Sequence, residues 1–393
     1  MNNNFNFFVP TQIRFGVGRI KETPDIISEM GSKCLLVTSS NSGSLTKLYD
    51  KVKDMLLEKG ITTSHYDGVV PNPTTECVEE GIKLAIENNV DCVLSVGGGS
   101  SMDAGKLIAL LYSKKGTINW DKTVEDYSNP FSIGDAPAEA LPFVAITTTA
   151  GTGSHVTQAA VVSDIKKKEK ITVFHSANFP KYAIIDPELT LTLPAAITAA
   201  TGFDTFTHAF ESFQGNYTSP LTETMSLQAI ELIFKYLPIA VADPKNIEAR
   251  TQLAWADTLA GMCLANGGAD LPHPLGEIIG GICPRVAHGD TLAIVYPEYL
   301  KFKKDIATEK FARVAKAINK DAEGMSNKDA AESLCTDIIK LLKEVKLSEA
   351  LQKSKFSSEE TELITNHPLL EKLDLNKIIE IKNIMINSLK NIK

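Results

Sequence analysis

The sequence is poor in several features that settle a function early. Its six cysteines, at 34, 77, 92, 263, 283 and 335, show no Cys-x-x-Cys or other paired spacing, so no disulfide framework is encoded and the thiols are expected to stay reduced. Positive charge is not in excess: 40 Lys and Arg face 48 Asp and Glu, a net charge of −8 without blocks, which excludes the basic face that nucleic acid requires. The one short basic run, Lys166–Lys168, reads as a solvated turn. No apolar run comes near the ~20 residues that a membrane helix needs, and the opening Met-Asn-Asn-Asn-Phe-Asn-Phe-Phe lacks the basic start and long apolar stretch of a secretory signal. The expected location is the cytoplasm, with no nucleic-acid and no membrane partner. Histidine is scarce as well, at seven residues. What is present is ample apolar material, 43% of 393 residues, enough for a substantial core and, by length, two domains.

Residues 5–20 form an extended leading segment, expected to pair at a sheet edge or to cross to a partner subunit. Apolar strand patterns at 34–38, 62–66, 91–96, 142–147 and 182–189 then alternate with amphipathic helical patterns at 44–59 and 74–89. Strand, helix and strand in repetition predict a parallel sheet with helices on its faces, whose ligands sit beyond the carboxyl ends of the strands. The third strand runs into Gly97-Gly-Gly-Ser-Ser-Met-Asp-Ala-Gly-Lys106 and a helix. Glycines there let backbone N–H groups approach a phosphate at the positive end of the helix dipole. A tight turn would use the same residues, and the run matches neither G-x-G-x-x-G nor the P-loop. Thr147-Thr-Thr-Ala-Gly-Thr-Gly-Ser154 ends the next strand with a second set of N–H and O–H donors, or with ordinary turn hydroxyls. Two such loops at neighbouring strand ends favour a nucleotide. Residues 112–140 read as a long polar surface connection and 161–173 as a hairpin.

At Leu193-Pro194 the texture changes to long helical patterns, at 195–213, 222–236, 247–265, 308–318, 328–346 and 374–390, with Pro194 just inside the first. The boundary near 190 gives an α/β, Rossmann-like domain over 1–190 and an all-α domain over 191–393. The first helix carries Asp204 and His208 four residues apart on one face. Phe203, Phe206, Phe210 and Phe213 recur on a neighbouring stripe that would be buried, aiming Asp204, His208 and Glu211 along the edge of a core. An exposed hydrogen-bonded pair is the plainer reading, but His273 and His288 follow in Gly-rich, apolar surroundings that suit solvated histidines poorly. Asp with three His is a donor set for Zn²⁺ or Fe²⁺. His65, His155, His175 and His367 read as structural or surface residues. A cleft between the domains would hold cofactor and metal together.

The ordered set Pro71-Asn-Pro-Thr74, Gly97-Gly-Gly-Ser-Ser-Met-Asp103, Thr148-Thr-Ala-Gly-Thr-Gly-Ser154, Asp186-Pro187, Thr201-Gly-Phe-Asp-Thr-Phe-Thr-His208 and Val286-Ala-His-Gly289 resembles the iron-containing (type III) alcohol dehydrogenase family over essentially the whole chain. The resemblance implies a dinucleotide-binding domain joined to a helical metal-binding domain, NAD(P)-dependent alcohol–aldehyde chemistry, and homodimers or larger assemblies. It carries the metal ligands onto Asp204, His208, His273 and His288. Cofactor contacts fall on Ser39, Asn72, Gly97, Gly98, Gly99, Ser100, Asp103, Thr148, Thr149, Thr152 and Lys170. Two departures matter. Where relatives often have His-x-x-x-His, this chain has His273-Pro-Leu-Gly-Glu277, so Glu277 stands at the second position, near the substrate. A different register would instead leave Ala269 at the ligand position; the first is preferred because it keeps four ligands. Where NAD-preferring relatives commonly carry Asp after the first strand, this chain has Ser39, with other hydroxyls and Lys47 nearby, which favours NADP(H) over NAD(H).

The implied mechanism is a Lewis-acidic Fe²⁺ or Zn²⁺ on the substrate oxygen, with hydride passing between the carbinol carbon and nicotinamide C4. Proton delivery falls to Glu277, or to a ribose hydroxyl and water; Glu277 would otherwise orient His273. Polyol or glycerol-type dehydrogenases and dehydroquinate synthase-like lyases share the plan and are the alternatives. A non-catalytic NADP(H) sensor is a further class, disfavoured by the intact ligand set. Segments 201–215 and 266–290 contain a single cation, Arg285, which favours a small uncharged alcohol or aldehyde over a phosphorylated substrate. Phe203, Phe206, Leu271 and Ile278 hint at an apolar pocket for it.

Overall fold

The computed structural model describes residues 4–114, 118–131, 140–349 and 354–391. The chain divides into two compact units, Asn6–Leu193 and a second beginning at Pro194.

In the first unit, strands β1 (Gln12–Phe15), β2 (Lys33–Ser39), β3 (Thr62–Val69), β4 (Cys92–Gly97), β5 (Phe143–Thr147) and β8 (Tyr182–Ile185) form one sheet in the order β1-β8-β5-β4-β2-β3. Every pairing in it is parallel. The leading segment thus supplies an edge strand. Helices α1 (Thr23–Ser28), α2 (Thr46–Glu58), α3 (Thr75–Glu87) and α4 (Gly99–Leu111) cover the sheet. Alternation along the strands assigns the faces: Leu35, Val37, Val93, Phe143 and Ala145 pack with α3 and α4. Leu36, Leu94, Val144 and Ile146 pack with α1 and α2. Burial on both faces explains why these strands read as continuous apolar runs. β2 sends the chain outward to β3 and β4 sends it the other way to β5, so the switch point where such sheets bind ligands lies at the ends of β2 and β4. The antiparallel hairpin of β6 (Ala159–Asp164) and β7 (Glu169–Phe174) stands apart from the sheet. Lys106, fully buried on α4, anchors it by donating to the Ala159 carbonyl at 2.7 Å.

The stretch 112–140 is not simply a connection. It contains α5 (Trp120–Asp126), capped by Asn119 Oδ1 and tied down by Trp120 Nε1 donating to Glu79 at 2.9 Å. Residues 115–117 and 132–139 of that stretch lie outside the described residues.

The second unit is built of α6 (Ala195–Gln214), α7 (Pro220–Ala242), α8 (Ile247–Gly267), α9 (Pro272–Ile282), α10 (His288–Lys303), α11 (Thr308–Ile318), α12 (Asn327–Glu344), α13 (Ser358–Thr365), α14 (Leu369–Leu373) and α15 (Ile378–Lys390). Besides the short α13 and α14, the expected patterns do not include α9 and α10. Their glycines and Pro297 weaken the local helical signal, and burial of Leu275, Ile279, Leu292 and Val295 overrides it. Pro194 is the cap before α6, not its first residue, and α15 starts at Ile378 instead of 374. The expectation that no apolar run approaches membrane length also needs correction. α7 has 23 residues, and its most apolar 18-residue stretch has a mean hydropathy of 1.4, long and apolar enough by composition to span a bilayer. Here it packs along α6 and α8.

The phenylalanine stripe is buried as expected: Phe203, Phe206, Phe210 and Phe213 are fully enclosed. Phe206 stacks on Phe203 and Phe210 and meets Tyr296 of α10 edge-on. Phe203 and Phe206 therefore belong to the core and do not wall a substrate pocket. Phe206→Ala should destabilise this unit by about 3–5 kcal/mol. Urea unfolding followed by circular dichroism checks it, and a loss below ~1 kcal/mol would mean the aromatic stack is not the centre of the core.

Candidate metal centre and phosphate cradle

α6 places Asp204 and His208 one turn apart, facing the start of α9, which carries His273, and the first residue of α10, His288. The three imidazoles converge on one carboxylate oxygen. Asp204 Oδ1 lies 3.6 Å from His208 Nε2, 3.7 Å from His273 Nε2 and 3.8 Å from His288 Nε2. Donors at roughly 2.0–2.2 Å from a tetrahedral ion sit about 3.3–3.6 Å apart, so this spacing is close to that of a coordination shell. Donor atoms of Asp204, His273 and His288 all lie within 4.8 Å of one another; His208 joins through its contact to Asp204 and a ring stack on His273 at 4.7 Å. Asp204 Oδ1 and His273 Nε2 are buried without a hydrogen-bond partner, which is costly unless a cation completes them. The residues thus fit a divalent metal.

Of the two registers, the one preferred has His273 beside Asp204, and the fold brings His273 Nε2 to 3.7 Å from Asp204 Oδ1. The Gly after His288 has a physical reason too. A Cβ on Gly289 would come 2.1 Å from the Ala200 carbonyl oxygen, one turn before Asp204, so only glycine lets α10 approach α6 this closely.

Electrostatics point the same way. Burial would raise the pKa of Asp204, yet His208, His288 and His273 hold it down to about 2. Burial would lower His273, yet Glu211 and Asp204 carry it up to about 10. Glu211 Oε2 lies 2.8 Å from His273 Nδ1. The orienting position considered for Glu277 is therefore held by Glu211; Glu277 is half-buried on α9, one turn after His273. The sequence already sets Glu211 three residues after His208 on the same helix face, without assigning it a role.

In the first unit, Gly97 ends β4, Gly98 caps α4 without a side chain and Gly99 opens the helix, with Ser100 in its first turn. The Thr148–Thr152 turn lies against them. Thr148 N donates to the Gly97 carbonyl at 2.9 Å. A Cβ on Gly98 would meet Thr149 at 3.1 Å, and one on Gly99 would meet Thr152 at 2.6 Å. Thr149 Oγ1 is buried with no hydrogen-bond partner. A backbone-lined helix N-terminus with an unsatisfied hydroxyl beside it fits a dinucleotide pyrophosphate. Asp103 faces another way: its carboxylate accepts from Ser154 Oγ at 2.6 Å and from Val161 N at 3.1 Å, near enough to Lys170 to feel its charge. These two residues join loop and hairpin. Asn72 occupies a positive-φ turn after β3. Ser39 ends β2, with its hydroxyl 2.9 Å from Tyr49 Oη. Sequence reading missed a carboxylate here, Asp67 of β3, whose Oδ2 receives Asn41 N at 3.4 Å just beyond Ser39. Only strand pairing brings the two together.

Known proteins resemble this chain over nearly its whole length. Residues 10–187 match the family model described as iron-containing alcohol dehydrogenase, and residues 198–390 match the C-terminal model of the same family. The chain belongs to the iron-containing alcohol dehydrogenase family. It is 35% identical to the NAD-dependent methanol dehydrogenase of Bacillus methanolicus, over 83% of each chain. It is 32% identical to the NADPH-dependent butanol dehydrogenase of Clostridium saccharobutylicum, over 88% of this chain and 86% of that one. Among solved structures, an archaeal halo-thermophilic alcohol dehydrogenase from a Red Sea brine pool superposes with a TM-score of 0.89 at 29% identity, covering 99% of this chain and 100% of that one. As a member of this family the protein is an NAD(P)-linked oxidoreductase of the alcohol dehydrogenase type.

Metal uptake by such a site carries a pH signature. A ligand must bind as neutral imidazole, while His273 in the metal-free protein keeps its proton up to about 10. Between pH 7 and 9 the ion must displace that proton, so its apparent affinity should rise about tenfold per pH unit. Competition with a chromophoric chelator at several pH values measures this; a pH-independent affinity would mean that His273 is not a ligand.

Proposed function

We propose that the protein interconverts a small, uncharged primary alcohol and its aldehyde, with Fe²⁺, or Zn²⁺ in its place, held by Asp204, His208, His273 and His288, and with NADP(H) favoured over NAD(H). The observation that carries this reading is the convergence of three imidazole Nε2 atoms at 3.6–3.8 Å on one buried carboxylate oxygen. When bound, the divalent ion supplies Lewis acidity to the substrate oxygen and the nicotinamide gives or accepts the hydride. Asp204 contributes the negative charge of the ligand set and the histidines its neutral donors. Amides at the start of α4 and the Thr149 hydroxyl hold the pyrophosphate. Glu277 is assigned the proton exchange with the substrate oxygen.

An uncharged substrate is supported by the state of Arg285, the one cation of segments 201–215 and 266–290. Its guanidinium is bonded to both oxygens of Glu360, at 2.5 and 3.0 Å, and to the Lys355 carbonyl. It is thus engaged elsewhere and ill placed to neutralise a substrate phosphate. The remainder of the reading, a homodimer or larger homo-oligomer, comes with the family resemblance, and the cytoplasmic location is carried over from the composition.

Ser39 supports NADP(H), since a hydroxyl does not repel a 2′-phosphate. Asp67 favours a second reading in which NAD(H) is also used, because its carboxylate beside Asn41 would repel that phosphate. Reduction of butanal by metal-loaded protein, followed with NADPH and NADH in parallel, tests both. The expected result is a higher kcat/KM with NADPH, a ratio that widens in Asp67→Asn, and no turnover in metal-depleted protein until Fe²⁺ or Zn²⁺ is restored. Preference for NADH would overturn the role given to Ser39, and full turnover by metal-free protein would remove the ion from the mechanism.

A further inference from the structure

We propose that Glu211 is a positioning residue for the metal: it holds His273 as an Nε2 ligand and so sets how tightly the ion is kept. The inference rests on the metal reading above and goes beyond the four ligands. Glu211 is fully buried on α6, seven residues after Asp204 and therefore two turns along the same face. Its Oε2 lies 2.8 Å from His273 Nδ1 and also accepts from Asp270 N at 2.8 Å, while Oε1 receives the Tyr296 hydroxyl at 3.4 Å. An ionised carboxylate only accepts, so the Nδ1 contact keeps a proton on Nδ1, and the nitrogen whose proton a metal displaces is Nε2. That Nε2 is the atom 3.7 Å from Asp204 Oδ1, buried and without a hydrogen-bond partner.

The support continues outward. Asp270 Oδ2 receives the Tyr299 hydroxyl at 2.9 Å and Lys303 Nζ at 2.6 Å, and its Oδ1 receives Leu271 N at 2.8 Å. The turn that starts α9 is thereby fixed from α10. Three helices, α6, α9 and α10, are pinned to one another through the two carboxylates that stand behind His273. In charge, Lys303 and a divalent ion together balance Asp204, Glu211 and Asp270, with the imidazoles neutral. A carboxylate on the far nitrogen orients a ligating imidazole and strengthens it as a donor, and losing such a partner typically weakens metal binding about 10–100-fold. A purely structural His–Glu bond would have no such effect on the metal.

Glu211→Gln keeps the shape and an acceptor oxygen but removes the charge. Metal-depleted wild type and variant are titrated with Zn²⁺ against a chromophoric chelator, and the visible ligand-field bands of Co²⁺ are recorded in both. The expected result is a Kd weakened about 10–100-fold and shifted Co²⁺ bands, with NADPH affinity unchanged because the glycine loops lie in the other unit. Equal Kd and identical Co²⁺ spectra in wild type and variant would overturn the proposal. Wild type that takes up neither metal would overturn the metal reading itself. Should Glu211→Gln not fold, Tyr296→Phe removes a donor from Glu211 Oε1 and is expected to weaken Zn²⁺ several-fold; an unchanged Kd there overturns the proposal as well.

Discussion

One oxygen of Asp204, almost wholly withdrawn from water, has three imidazole nitrogens 3.6–3.8 Å away and no hydrogen bond of its own. A buried carboxylate oxygen without a hydrogen bond is expensive, and the Nε2 of His273 that faces it has no hydrogen bond either. Much of the helical unit serves to hold these groups in place. The Phe203–Phe213 stripe fixes the rotation of α6, Gly289 lets α10 press against Ala200, and Glu211 ties α6 to the first turn of α9. A divalent cation held here would offset the cost of these unpartnered groups, which would couple metal binding to the fold of this unit.

The α/β unit solves a different problem by backbone. Its phosphate cradle contains almost no charge: three glycines, an uncapped helix start and a threonine hydroxyl. The tight fit of Gly98 and Gly99 against Thr149 and Thr152 explains why side chains are missing there. Lys106 and Asp103, at the end of the glycine motif, are bonded to the β6–β7 hairpin and the Ser154 loop. On the proposed reading, the preference between the two dinucleotides is set at the end of β2, where Ser39 and Asp67 would act in opposite senses.

The parallel sheet and the long helices were legible in the chain because both obey simple periods: apolar runs for strands buried on two faces, and a stripe every third or fourth residue for α6, α8, α11 and α12. Asp204 and His208 were legible for the same reason, being one turn apart. α9 and α10 were not, since a Gly- and Pro-bearing segment forms helix only when packing compensates for its weak propensity. Asp67 and Asp270 were invisible for a geometric reason. Asp67 reaches Asn41 through the pairing of β3 with β2, and Asp270 reaches Lys303 through the packing of α9 on α10. Neither contact leaves a trace in local spacing, whereas Glu211, on the same face as both ligands of α6, does.

The central claim is that four side chains from three helices form one metal centre. Its most direct test is anomalous diffraction from crystals grown with Fe²⁺ under anaerobic conditions, recorded on both sides of the iron edge. The account predicts a single strong peak bounded by Asp204 Oδ1 and the Nε2 atoms of His208, His273 and His288. A peak elsewhere, or none at full iron loading, would contradict it.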